Sequence, residues 1–172
     1  MASRMSKKTR LIVVILIIAV GAIVGIALSR SSPSPSDGTL SIITWNETSL
    51  SAFEGTPVVL NFWSISCPWC IKQLPYLENV AQQSEGELKV IAINIRDSAS
   101  GIQTFFGDYE PTMIIALDKN REAFVDYCLA YNNTRGAIPF TLFVDSEGLV
   151  QYVKIGAFAS ETELRDTLDS VF

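Results

Sequence analysis

The sequence contains no histidine among its 172 residues, and only three cysteines. Histidine is the usual acid–base group near neutral pH and the commonest zinc or copper ligand, so histidine-based catalysis and most such metal sites are excluded. A zinc site needs four ligands, and three cysteines would have to recruit carboxylates to complete it. We therefore expect no bound metal.

Basic residues are scarce in the greater part of the chain. Five of the 13 lysines and arginines lie at or before Arg30, whereas all 18 acidic residues follow it, which leaves 8 basic against 18 acidic side chains. A nucleic-acid-binding surface needs the opposite charge, so nucleic acid is excluded as a partner. The acidic balance favours a soluble folded domain, which we expect to be a monomer.

One long apolar run is present, from Leu11 to Leu28. As a helix rising about 1.5 Å per residue, it approaches the roughly 30 Å of a bilayer's hydrocarbon core. Four basic residues precede it and only Arg30 follows closely, which predicts a cytoplasmic segment 1–10 and an extracytoplasmic remainder. Residues 11–28 are thus predicted to anchor a single-pass protein in the cell membrane. A cleaved signal peptide is the alternative, because it also has a charged segment before an apolar one.

The remaining residues, 39–172, are predicted to form one domain after a tether over 29–38 that is rich in serine and proline. β-forming residues between Leu40 and Leu50 predict a short hairpin. The almost continuous apolar run 58–63 is typical of a strand buried on both faces of a sheet, so it is predicted to be the central strand.

Helix-like and strand-like segments alternate after that strand. Apolar residues recur at helical spacing over about 68–83, interrupted by Pro75, which removes a backbone donor. Ser160 and Glu163 have capping-box spacing and open a last helix. The other predicted elements are strands over 88–95 and 113–117, a helix capped at Asp97-Ser98 that ends at Gly107, a helix over 119–131 capped by Asp118, and a hairpin over 140–155. This order predicts an α/β fold with a mixed sheet flanked by helices.

Two of the cysteines, Cys67 and Cys70, lie between the run 58–63 and the helix that begins at Pro68. This places Cys67 at the helix N-cap, where unpaired backbone N–H groups and the helix dipole favour a thiolate. Pro68 suits the first helical position. Cys67 is therefore predicted to form a mixed disulfide with a partner and Cys70 to resolve it, with their disulfide as the redox group and no separate cofactor.

The alternatives for this pair are half of a metal site and a purely structural disulfide. A bridge across two residues closes almost no loop, so it contributes little as a staple. Cys128 lies on an apolar helix stripe with Phe124 and Tyr131, which indicates a buried, inert thiol. A regulatory or third redox role for Cys128 is the other reading.

Several motifs together resemble the thioredoxin fold. They are Asn61-Phe62-Trp63 ahead of Cys67, the cysteine pair, Pro75 five residues after Cys70, and Ile138-Pro139 entering a hairpin. The anchor, the tether and the N-terminal hairpin resemble the membrane-anchored TlpA/ResA-like branch, whose members are extracytoplasmic thiol-disulfide oxidoreductases. The resemblance covers residues 39–172.

The resemblance implies an oxidoreductase that exchanges its disulfide with cysteine-containing extracytoplasmic proteins, as a reductant in cytochrome c maturation or in general disulfide reduction. It implies a membrane or soluble electron donor or acceptor as a second partner. Pro139 is expected to be cis and to lie against the dithiol, leaving the Ile138 backbone free to pair with a substrate strand. Pro68 and Trp69 complete the expected substrate-binding set. The alternative for Pro139 is an ordinary proline at a strand start.

Three positions depart from the family pattern. Asn61 stands where thioredoxin-like proteins often have Asp, and Gln73 where ResA-like proteins have Glu. Neither amide can accept a proton, so an acid that assists the resolving thiol must come from elsewhere. Ser66 replaces the usual Trp before the first cysteine, and Trp69 is expected to supply the missing apolar contact surface.

Two other functions remain open at this point. One is a peroxiredoxin-type peroxidase, although Leu60 occupies the place where that chemistry normally has a proline. The other is a non-enzymatic binding module that uses the surface around Trp69 and Ile138. The motif does not decide the direction of electron flow, because proteins of this fold span about −270 to −120 mV.

Overall fold

The computed structural model describes residues 40–42, 47–48 and 50–172. The predicted cytoplasmic segment 1–10, anchor 11–28 and tether 29–38 lie outside these residues. Within the described ranges, no helix combines the length and the apolar character needed to cross a membrane.

Seven strands within the described residues form one mixed sheet in the order β2-β1-β5-β4-β3-β6-β7. Their bounds are β1 Leu40–Ile42, β2 Glu47–Thr48, β3 Val58–Trp63, β4 Lys89–Asn94, β5 Ile114–Leu117, β6 Phe140–Val144 and β7 Val150–Ile155. Strand β3 pairs in parallel with β4 and antiparallel with β6. Residues 58–63 therefore form an interior strand paired on both sides, as predicted, and this strand is the middle one of β5-β4-β3-β6-β7, whereas β4 is the middle one of the seven.

The helices lie on both faces of this sheet. Their bounds are α1 Pro68–Gln83, α2 Ala99–Phe106, α3 Glu122–Ala130 and α4 Glu161–Val171, and a short 3-10 turn spans Leu50–Phe53. Side chains of α1, α2 and α4 share one hydrophobic core, and those of α3 contribute to a second. Alternate residues of β3 enter the two cores, Val59 and Trp63 the first, Leu60 and Phe62 the second. This explains why the strand is apolar throughout.

Local capping signals set several helix boundaries as predicted. The hydroxyl of Ser98 accepts a hydrogen bond from the Gly101 N–H at 3.1 Å at the start of α2. The hydroxyl of Ser160 accepts from the Glu163 N–H at 3.2 Å at the start of α4. The Glu163 carboxylate reaches back one residue further than in a regular capping box and accepts from Ala159 at 2.6 Å.

The helix predicted over 119–131 begins too early, because α3 starts at Glu122. Residues between Asp118 and Arg121 form a turn instead, and Arg121 has a left-handed backbone with φ of 59°. Asp118 still serves the helix, since its Oδ2 accepts from the Phe124 N–H at 2.8 Å. Burial raises the pKa of Asp118 above its ordinary value, although hydrogen bonds from the Phe124, Ala123 and Glu122 N–H groups act to lower it.

The N-terminal strands extend the sheet at one edge. Strand β1 pairs antiparallel with both β2 and β5. Residues 43–46, which would form the turn between β1 and β2, lie outside the described residues. The hairpin predicted for residues 40–50 therefore stays a prediction.

Candidate redox site

The cysteine pair lies at the amino end of α1, where the sequence placed it. Cys67 and Cys70 form a disulfide with Cα atoms 5.2 Å apart. Cys67 is the N-cap residue with extended backbone angles, Pro68 is the first helical residue, and the Cys70 N–H donates to the Cys67 Sγ at 3.1 Å. A backbone donor is thus already directed at the sulfur that would carry negative charge after reduction.

The two sulfurs differ in their access to solvent. Cys70 is 1% exposed and packs within the hydrophobic core beside Trp63 and Leu74. Cys67 is partly exposed at the end of the helix. A partner can therefore approach Cys67 directly, whereas Cys70 is enclosed behind it.

Ile138 lies beside the disulfide, and Pro139 follows it directly in the chain. The bond between them is cis, as the family resemblance implied. The carbonyl oxygen of Ile138 is 3.7 Å from the Cys67 Sγ. The carbonyl of Pro139 accepts from the Gly156 N–H at 2.9 Å, which ties this loop to the end of β7. The structure thus brings together residues 71 positions apart in the sequence.

Behind the disulfide, a neutral hydrogen-bond network joins α1 to the sheet. The Thr141 hydroxyl accepts from Asn61 Nδ2 at 2.8 Å and from Gln73 Nε2 at 3.3 Å. The Oε1 of Gln73 accepts from the Phe158 N–H at 2.9 Å. Asn61, Gln73 and Thr141 are all buried. The two positions that depart from the family pattern therefore serve the packing of the site and offer no proton acceptor.

A second network holds the loop that leads into Cys67. The Oδ2 of Asp97 accepts from the Ile65 N–H at 2.8 Å and from Asn94 Nδ2 at 2.9 Å. The Oδ1 of buried Asn94 accepts from the Asp97 N–H at 2.8 Å. This pair was not predicted from the sequence. The available signal was their place at the carboxyl end of β4, because carboxyl ends of adjacent parallel strands meet at one sheet edge.

Trp69 is the most exposed part of the motif. It is 63% exposed, and the Lys72 Nζ lies 5.5 Å from the centre of its ring. Ser66 is exposed as well, with its hydroxyl 3.2 Å from that of Ser64. Trp69 thus presents an apolar surface on the solvent side, and its contact with a substrate stays a prediction.

Cys128 does not join the site. It is 8% exposed on α3, within the second hydrophobic core. Burial raises the pKa of its thiol above the ordinary value, against the lowering effect of Arg121 and of a hydrogen bond with Asn133. A raised pKa and low exposure describe an unreactive thiol, as the sequence indicated.

Comparisons with known proteins agree with this geometry. The sequence profile of the Redoxin family matches residues 37–170. The thioredoxin-like protein YneN of Bacillus subtilis is 27% identical over 149 residues, which cover 85% of this chain and 81% of that protein. The thiol-disulfide oxidoreductase ResA of Bacillus subtilis is 26% identical over 179 residues, covering 97% and 96%.

A solved structure shows the same fold. It is that of a secreted Mycobacterium tuberculosis disulfide oxidoreductase homologous to E. coli DsbE, which matches with a TM-score of 0.65 at 20% identity. The match covers 78% of this chain and 96% of that one.

Proposed function

Since this chain belongs to the Redoxin family, we propose that it is an extracytoplasmic thiol-disulfide oxidoreductase that reduces disulfides of other exported proteins. The relatives named thiol-disulfide oxidoreductases and the Cys67–Cys70 disulfide together support the enzymatic class. The observation that carries the proposal is the partly exposed Cys67 sulfur at a helix N-cap, with Cys70 enclosed behind it.

The reaction begins with the chain in its dithiol form. The Cys67 thiolate attacks one sulfur of a substrate disulfide, forming an intermolecular S–S bond and expelling the other substrate sulfur as a thiolate, which takes up a proton. Cys70 then loses its proton and attacks the Cys67 sulfur. The Cys67–Cys70 disulfide forms and the substrate leaves as a dithiol, so two electrons have passed to it. A reductant of dithiol type restores the starting state.

The other predicted residues act on binding and on thiolate stability. Pro68 completes the first turn, and the backbone N–H groups at the helix terminus stabilise the Cys67 thiolate. The Ile138 backbone pairs with an extended substrate segment beside the sulfur, and Pro139 keeps that backbone next to the disulfide. Trp69 supplies apolar contact. We propose no cofactor beyond the cysteine pair.

The activity is tested with the purified full chain in detergent, dithiothreitol as electron source, and insulin as a disulfide substrate. Cys67→Ser is expected to abolish insulin reduction, because it removes the attacking sulfur. Cys128→Ser is the matched control and is expected to keep the wild-type rate, because Cys128 lies in the other core. Equal rates for wild type and Cys67→Ser would show that the pair is incidental and favour a binding module.

The location is tested in intact cells. Residues 11–28 are proposed to hold the domain outside the membrane, so a membrane-impermeant maleimide is expected to label reduced Cys67 without lysis. The Cys67→Ser/Cys70→Ser variant measures background labelling. Labelling that requires lysis would contradict the proposed orientation.

A further inference from the structure

One buried side chain, Asn133, holds the loop that leads from α3 to Ile138. It is 2% exposed. Its Nδ2 donates to the Ala137 carbonyl at 2.9 Å, and its Oδ1 accepts from the Ala137 N–H at 2.9 Å. One amide therefore satisfies both backbone polar groups of Ala137, in the way that a neighbouring strand would.

Asn133 is itself fixed to the end of α3. Its N–H donates to the Cys128 carbonyl at 2.9 Å, and its carbonyl accepts from the Gly136 N–H at 2.9 Å. Gly136 has a φ of 58°, which favours glycine, and an added Cβ would lie 3.6 Å from the Phe124 ring. The loop is thus closed tightly against a helix of the second core.

This arrangement determines where the next residue lies. Ile138 follows Ala137 directly, and its carbonyl oxygen is 3.7 Å from the Cys67 Sγ. Among residues 50–172, no hydrogen bond of the Ile138 N–H is found. Asn133 therefore occupies both backbone groups of Ala137, and the next residue, Ile138, keeps its N–H open and its carbonyl oxygen near the Cys67 sulfur.

We propose that Asn133 is a positioning residue that holds the Ile138 backbone as a docking edge for an extended polypeptide, and so confers preference for protein disulfides over small ones. An extended segment gains affinity by main-chain hydrogen bonds to such an edge. A small aromatic disulfide needs only the Cys67 sulfur. This inference rests on the proposed function, because it assigns the substrate class of the same site.

The test compares two substrates on the full-length enzyme in detergent, with wild type, Asn133→Ala and Asn133→Asp. One substrate is an oxidised two-cysteine peptide, and the other is 5,5′-dithiobis(2-nitrobenzoate). For Asn133→Ala, kcat/KM for the peptide is expected to fall about tenfold, mainly through a higher KM, because the two hydrogen bonds to Ala137 are lost, together with the one to the Cys128 thiol. The rate with the small disulfide should change less than about twofold, and the redox potential should not change.

Asn133→Asp gives a second comparison. It keeps the acceptor for the Ala137 N–H but sets a second oxygen against the Ala137 carbonyl at a 2% exposed position, so the peptide KM should rise at least as much as in Asn133→Ala. An equal loss on both substrates, or no loss on the peptide in either variant, would overturn the proposal. If Asn133→Ala does not fold, an unchanged peptide KM in Asn133→Asp overturns it equally. A wild-type enzyme that reduces neither substrate would instead refute the proposed function.

Discussion

The Cys67 sulfur and the Ile138 carbonyl oxygen lie 3.7 Å apart, although 71 positions separate the two residues in the sequence. The helix that begins at Pro68 carries the first, and the turn into β6 carries the second. A polypeptide that pairs with the Ile138 backbone would thereby bring its own disulfide within reach of Cys67. Two separate parts of the fold thus bring the proposed binding edge and the Cys67 sulfur together.

Asp97 is expected to hold the loop ahead of Cys67. Asp97→Ala removes both hydrogen bonds of the carboxylate, to Ile65 and Asn94, so it should cost about 1–3 kcal/mol of unfolding free energy. Asp97→Asn retains an acceptor oxygen and should lose less stability. Urea denaturation measures the unfolding free energy of both variants. Identical behaviour of the two variants would contradict this role.

Replacing the Gln73 amide by a carboxyl group is expected to destabilise the domain. Gln73→Glu places an ionisable group at a 1% exposed position, where burial disfavours the charged form and raises the pKa. The variant should lose about 1–3 kcal/mol of stability at pH 7, and the loss should shrink as the pH falls and the group becomes protonated. Denaturation at pH 7 and pH 5 measures this. A loss that is the same at both pH values would argue against a charge effect.

The ionised Glu78 carboxylate is expected to stabilise the domain, and this stabilisation is expected to be lost in acid. Burial pushes the pKa of its carboxyl up, but hydrogen bonds from the Thr112 and Met113 N–H groups, the Tyr109 hydroxyl and Gln82 outweigh this, and the pKa is lowered. A lowered pKa contributes stability that is present above the unfolded value of about 4.3 and lost as the pH falls through the folded one.

The matched variant is Glu78→Gln, in which an NH2 group replaces one of the carboxylate oxygens that accept from backbone N–H groups. This variant should lose about 1–3 kcal/mol of unfolding free energy at pH 7. The stability difference between variant and wild type should become smaller below about pH 4. Denaturant midpoints at pH 7 and pH 3.5 measure both. A stability difference between wild type and Glu78→Gln that grows on acidification would contradict this prediction.

Local signals in the sequence predicted the parts of the fold that neighbouring residues determine. The apolar run of β3, the cap at Ser98 and the cysteine pair at the start of α1 are each set within a few residues. The left-handed Arg121 delays α3 and was missed, because arginine rarely adopts that conformation.

Contacts across the fold could not be predicted in the same way. The Asn61–Thr141 hydrogen bond joins residues 80 positions apart, and the Asp97–Ile65 bond joins residues 32 apart. Hydrophobic periodicity carries no information about such polar pairs. The family resemblance predicted the cis bond at Pro139, whereas the hydrogen bonds of Asn133 with Ala137 emerged only from the structure.

The most direct test is to capture the mixed disulfide. The Cys70→Ala variant, expressed as the full chain in cells, cannot resolve the intermediate, so it should accumulate covalent adducts that a reductant releases. Mass spectrometry of their linked peptides should show Cys67 joined to cysteines of exported proteins. The Cys67→Ala/Cys70→Ala variant is the control. Adducts that persist in the control, or that join through Cys128, would contradict the central claim.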